Sequence, residues 1–124
     1  MATALVAELE SRGYLDDAQF ARGWVEARAS GRLLGPARLR AELSARGVAL
    51  DVADAAIREA SAPEAELARA LDAGRQRLPA LTRRDPLRAP ARMRAYLLRR
   101  GYPAGVATRV VRTLFGREDD AHTA

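Results

Sequence analysis

Few residues in this chain have types and spacings that could do chemistry. Asp16 and Asp17 are adjacent carboxylates, yet neighbours at a helix start do not converge on one substrate atom as acid–base work requires. Their context suits helix capping instead. The only histidine, His122, lies in a polar terminal stretch, and the absence of cysteine removes disulfides, thiolate metal sites and thiol nucleophiles. Pro36 with Gly47, and Pro90 with Gly101, lack the spacing and lysine of a phosphate loop. The chain is therefore expected to be no enzyme and to need no metal, cofactor or small-molecule substrate. What remains is arginine, which supplies all 21 basic residues and whose planar fork suits phosphates and carboxylates. Its distribution is uneven: residues 1–66 carry net charge −3 and residues 67–124 carry net +8, which points to a polyanionic partner for the second half.

The elements that must position these arginines read as helices. Aromatics are scarce and Ala, Leu and Val dominate, a mixture that favours helix over strand. The spacing predicts a helix over 4–12 stopped by Gly13. A second runs from an Asp16 cap to about Ala29, with Phe20, Trp24 and Ala27 on its inner face. Pro36 opens a third helix, with Leu39 and Leu43 inward, which Gly47 stops. Asp51 caps a fourth, with Val52, Ala56 and Ile57 apolar. Ser61 and Glu64 form a capping box opening a fifth, which Pro79 ends. A basic linker over 80–88, a helix from Pro90 to Arg100 stopped by Gly101, and a helix from Pro103 to Leu114 complete the series. The acidic tail from Gly116 is expected to be mobile. No run approaches bilayer length and no signal peptide is recognisable, so a cytoplasmic location with no membrane partner is expected.

One module is written twice. Residues 35–48 align with residues 89–102 at a step of 54, pairing Pro36 with Pro90, Arg38 with Arg92, Arg40 with Arg94, Leu43 with Leu97 and Gly47 with Gly101. The match continues as Val52 with Val106, Ile57 with Val111 and Arg58 with Arg112. Upstream, Phe20–Arg28 aligns by residue type with Leu67–Arg75. Each unit is thus three helices, and stacked units cover whatever apolar face one unit leaves open.

Gly13-Tyr14-Leu15-Asp16-Asp17 with Phe20-Ala21, then Gly35-Pro36 with Arg38, Leu39, Leu43 and Gly47, then Leu97 with Arg100-Gly101-Tyr102, form a pattern that resembles the RecX family over roughly residues 4–115. The resemblance implies an all-α fold, an elongated curved array of tandem three-helix-bundle repeats. On that pattern residues 1–13 are the last helix of a truncated first repeat, 14–61 the second repeat, 62–115 the third and 116–124 the tail. It also implies binding to the RecA filament on DNA and inhibition of its ATPase and strand-exchange activities, in recombination and DNA repair.

Candidate contact residues follow from charge placement. With Leu39 inward, Arg38 and Arg40 fall about 100° to either side at helical spacing, and Arg92 and Arg94 repeat this around Met93. Arg83, Arg84, Arg88, Arg92, Arg94 and Arg99 form the densest basic stretch and are the preferred surface for RecA or DNA phosphates. Tyr14, Arg28 and Arg32 are further interface candidates. Arg46 and Arg100, each just before a stop glycine, complement the helix C-terminus. The rival reading is a stand-alone helix-turn-helix-like DNA-binding protein, but the two Pro-started helices offer no Asn or Gln for base-edge readout.

Overall fold

The computed structural model describes residues 2–60 and 62–123, with side chains described at 13, 16–60 and 62–116. Its six helices are α1 (Ala2–Arg32), α2 (Pro36–Ala45), α3 (Leu50–Ala60), α4 (Pro63–Arg84), α5 (Ala89–Arg99) and α6 (Ala104–Thr123). They form two three-helix units, α1–α3 and α4–α6, and each has its own apolar core. The array is all-α, as expected.

Where backbone chemistry is local, the expected boundaries hold. Pro36 sits in the first turn of α2, where its missing N–H costs nothing. Both copies end this helix alike. Gly47 (φ +82°) and Gly101 (φ +97°) adopt left-handed backbone, and paired bonds close the turns. Gly47 N donates to Ser44 O and Val48 N to Leu43 O, both at 3.0 Å. Gly101 N donates to Leu98 O at 3.0 Å and Tyr102 N to Leu97 O at 3.1 Å. Leu39, Leu43, Met93 and Leu97 are fully buried, so the apolar stripe between the arginines faces inward.

Several expected helix ends need correction. Gly13 does not stop a helix: α1 passes through it, and Asp16 and Asp17 stand exposed on the helix surface instead of capping it. An interior glycine costs only about 1 kcal/mol, too little to end a helix by itself. Pro79 likewise lies inside α4, which runs to Arg84, so Arg83 and Arg84 belong to its last turn and not to a linker. The helix continues past the lost N–H because Leu78 and Leu81 pack into the second core on either side of it. Helix starts are shifted too: α3 begins at Leu50, leaving Asp51 in its first turn, and α4 takes Ala62 as N-cap with no side-chain cap. Ser61, from the expected capping box, lies outside the described residues. Finally, α6 continues past Gly116 to Thr123, where a tail was expected.

The inner face of α1 is also different. Phe20 is 45% exposed, Ala27 is exposed and Trp24 is half-buried, while Ala21, Val25 and Ala29, spaced by four, are buried. Small side chains let α1 approach closely, which leaves the large aromatics at its edge. The burial pattern pairs Ala21 with Ala70 and Val25 with Gly74, two residues away from the pairing by residue type.

Candidate functional site

The site begins at the seam between the units. The first N–H groups of α2 lack helical acceptors, and no side chain caps them. The end of α5 supplies the acceptors: Gly35 N donates to Arg100 O at 2.8 Å and Ala37 N to Gly101 O at 3.0 Å. Two backbones meet here with no room for side chains. A Cβ on Gly35 would stand 2.5 Å from the Gly101 carbonyl carbon, and one on Gly101 would stand 2.4 Å from Arg38 N. The Tyr102 hydroxyl donates to the Leu33 carbonyl at 2.6 Å, and Arg100 Nη2 donates to the Arg32 carbonyl. Burial pushes the Tyr102 phenol up to about 12, against the opposing pull of Arg69 and Arg100. The phenol therefore stays protonated and able to donate. Arg100, expected to serve structure, does so by tying one unit to the other.

This seam opens into a cleft of about 490 Å³ lined by Arg32, Leu34, Arg38, Glu42, Arg77, Tyr96, Arg99 and Arg100. Five guanidiniums thus face one carboxylate. Glu42 is itself engaged, accepting from Trp24 Nε1 at 3.0 Å. Among the described residues, Arg32, Arg38, Arg77 and Arg99 form no ion pair. Arg77 and Arg100 lie over the Tyr96 ring at 5.7 and 5.6 Å, which holds cations at the cleft wall without neutralising them. In the first unit Arg28 and Arg46 flank Trp24 similarly, at 4.2 and 3.8 Å. Like charges held this close raise the local potential and favour phosphate or carboxylate groups.

Of the expected contact residues, the fold thus gathers Arg32, Arg38 and Arg99 into one cleft. The others lie elsewhere. Arg40 pairs with Asp54 at 2.7 Å on a different face. Arg94, its counterpart, reaches the Thr108 hydroxyl at 3.4 Å instead. Arg83 and Arg84 are exposed at the end of α4, and Arg88 stands 3.7 Å from Asp85. Arg92 is half-buried, and its Nη1 is enclosed with no hydrogen-bond partner. The Tyr14 side chain lies outside those described. Arg77 and Tyr96 are not singled out by the sequence. The available signal is the repeat itself, which sets Tyr96 where the first copy has Glu42. Among the described residues no group of carboxylates and imidazoles could hold a metal ion, and no helix is long and apolar enough to cross a membrane.

Fold and cleft together define a tandem three-helix array with a basic seam. Comparison with known proteins names the family. The family model described as RecX, second three-helix domain, matches residues 16–57. Proteins named Regulatory protein RecX are similar over most of the chain: one from Thermobifida fusca is 45% identical over 81% of this chain and 54% of its own length. One from Thermus thermophilus is 41% identical over 86% of the chain and 65% of its own length. A third, from Streptomyces coelicolor, is 34% identical over 96% and 63%. The chain belongs to the RecX family, and it spans 54–65% of the length of these relatives. No solved structure matches it.

Proposed function

We propose that this chain is a negative regulator of the RecA recombinase that binds the RecA–DNA filament and lowers its ATPase and strand-exchange activities. The observation that carries this reading is the seam cleft, where five arginines face one carboxylate, in a chain whose relatives are named regulatory proteins. The cleft exists only when both units are docked, so recognition and folding are coupled. An extended anionic surface, built from acidic side chains and DNA phosphates in one filament, presents the charge that such a cleft attracts. No covalent step is involved. Arg38 and Arg99 act from opposite sides of the seam, α2 and α5, and hold the partner against both units at once.

Strand exchange by RecA tests this directly. The parent protein at saturation is expected to slow exchange, and Arg38→Glu with Arg99→Glu to abolish the effect with little change in thermal unfolding. Undiminished exchange with folded parent protein would reject the reading. Direct binding to DNA is the second reading, favoured by the aromatic-lined arginines at Trp24 and Tyr96. Salt-sensitive binding to DNA without RecA, with no effect on RecA itself, would select it.

A further inference from the structure

The 54-residue step that relates the two copies also relates two surfaces with different fates. Leu33, in the connector before α2, packs against the core of the second unit, and its carbonyl accepts the Tyr102 hydroxyl. Its counterpart is Leu87, in the connector before α5, and Leu87 is 94% exposed. The neighbourhoods correspond as well. After Leu33, the start of α2 borders a groove lined by Pro36, Arg40, Asp54, Ile57 and Arg58, with Glu66 from α4. At Leu87 lies one of about 730 Å³ whose lining includes Pro86, Pro90, Thr108, Val111, Arg112 and Phe115. The leucine that joins unit to unit thus recurs in sequence at Leu87, in a connector of different backbone (Leu33 has φ +53°, Arg88 is helical), and nothing among the described residues covers it.

The charges around the two leucines differ. On α3 three carboxylates serve the first unit: Asp54 holds Arg40 at 2.7 Å, Glu59 stands 4.0 Å from Arg22, and Asp51 lies in the first turn. On α6 the same positions are Thr108, Thr113 and Gly105, and Ala55 is replaced by Arg109. Arg94 therefore meets a hydroxyl where Arg40 meets a carboxylate. The end face combines an exposed leucine with cations stripped of their internal acids.

We infer that this face, Leu87 with Val111 and Phe115 rimmed by Arg94, Arg109 and Arg112, docks an acidic protein surface that receives the leucine. Under the function proposed above, on which this inference rests, that surface belongs to RecA. A phosphate backbone would use the arginines but gain nothing from Leu87. A further helical unit, or a second copy of this chain, cannot seat here as Arg100-Gly101-Tyr102 seats on the first unit. At Gly35 a Cβ would stand 2.5 Å from the seated Gly101 carbonyl carbon, whereas the counterpart Ala89 carries a Cβ, is fully buried and is the first residue of α5 instead of an extended N-cap.

Two variants of the full chain test the assignment: Leu87→Ser, and Thr108→Asp, which gives Arg94 the internal partner that Arg40 has. Affinity is measured for RecA filaments on single-stranded DNA and, separately, for the same DNA alone, with thermal unfolding as the fold control. Leu87→Ser is expected to weaken filament binding about tenfold or more, the value of one buried leucine. It should leave DNA binding and unfolding unchanged, and Thr108→Asp should weaken filament binding about threefold. Parent-like filament affinity in both variants overturns the inference while the proposed function stands. An equal loss on bare DNA for Leu87→Ser makes the face a nucleic-acid contact and overturns it too. A parent chain that does not bind the filament removes the proposed function, and this partner with it.

Discussion

Replacing Gly101 by alanine, with Gly47→Ala as its internal control, isolates the seam between the units. Both glycines are left-handed, at φ +97° and +82°, and both close the same helix-ending turn. Their surroundings differ: a Cβ on Gly47 meets nothing within 4 Å, whereas one on Gly101 stands 2.4 Å from Arg38 N. Gly47→Ala therefore carries only the backbone penalty, about 1–2 kcal/mol. Gly101→Ala carries the same penalty and also pushes α2 off the turn, breaking the bonds from Gly35 N and Ala37 N. At about 1 kcal/mol each, these bring its cost to about 3–4 kcal/mol. Urea unfolding of the two variants and the parent, followed by circular dichroism, measures the gap. Equal destabilisation would refute the reasoning, because the seam would then contribute nothing to stability.

Other outcomes follow from the same contacts. Tyr102→Phe removes the bond to the Leu33 carbonyl and should lower unfolding stability by about 1 kcal/mol; an unchanged urea midpoint would show that bond to be idle. Because burial raises the Tyr102 phenol from 10.0 to about 12, the folded chain holds its proton where the unfolded chain has lost it. Stability is thus fully present below pH 10 and falls as pH rises toward 12, a trend that Tyr102→Phe should flatten. Pro79→Ala restores a helical N–H inside α4 and should raise the urea midpoint, proline being about 3 kcal/mol poorer than alanine in a helix interior; a lower midpoint would mean that packing requires the proline.

What could be read from the sequence was local chemistry. Pro36, Gly47 and Gly101 announce their turns because a missing N–H or a left-handed φ leaves few alternatives. Leu39 and Leu43 announce their burial by spacing. Gly13 and Pro79 mislead for the converse reason: an interior glycine costs only about 1 kcal/mol, and packing of Leu78 and Leu81 on either side carries α4 through the proline. Phe20 misleads because size suggested core, whereas the alanine edge of α1 permits the closer contact; Trp24 packs against that core in part. For the site, Arg32, Arg38 and Arg99 stand out as charges, but their convergence depends on α2 meeting the end of α5. The contact from Arg100 to Arg32 spans 68 residues, a separation at which spacing rules say nothing. Arg77 and Tyr96 reach the cleft only through that same docking.

The central claim, that this array regulates RecA by binding its filament, is tested most directly by ATP turnover of RecA on single-stranded DNA at saturating concentrations of the folded chain. Turnover is expected to fall, and to recover when Arg38 and Arg99 are reversed in charge. Turnover that stays at the level of RecA alone would contradict it.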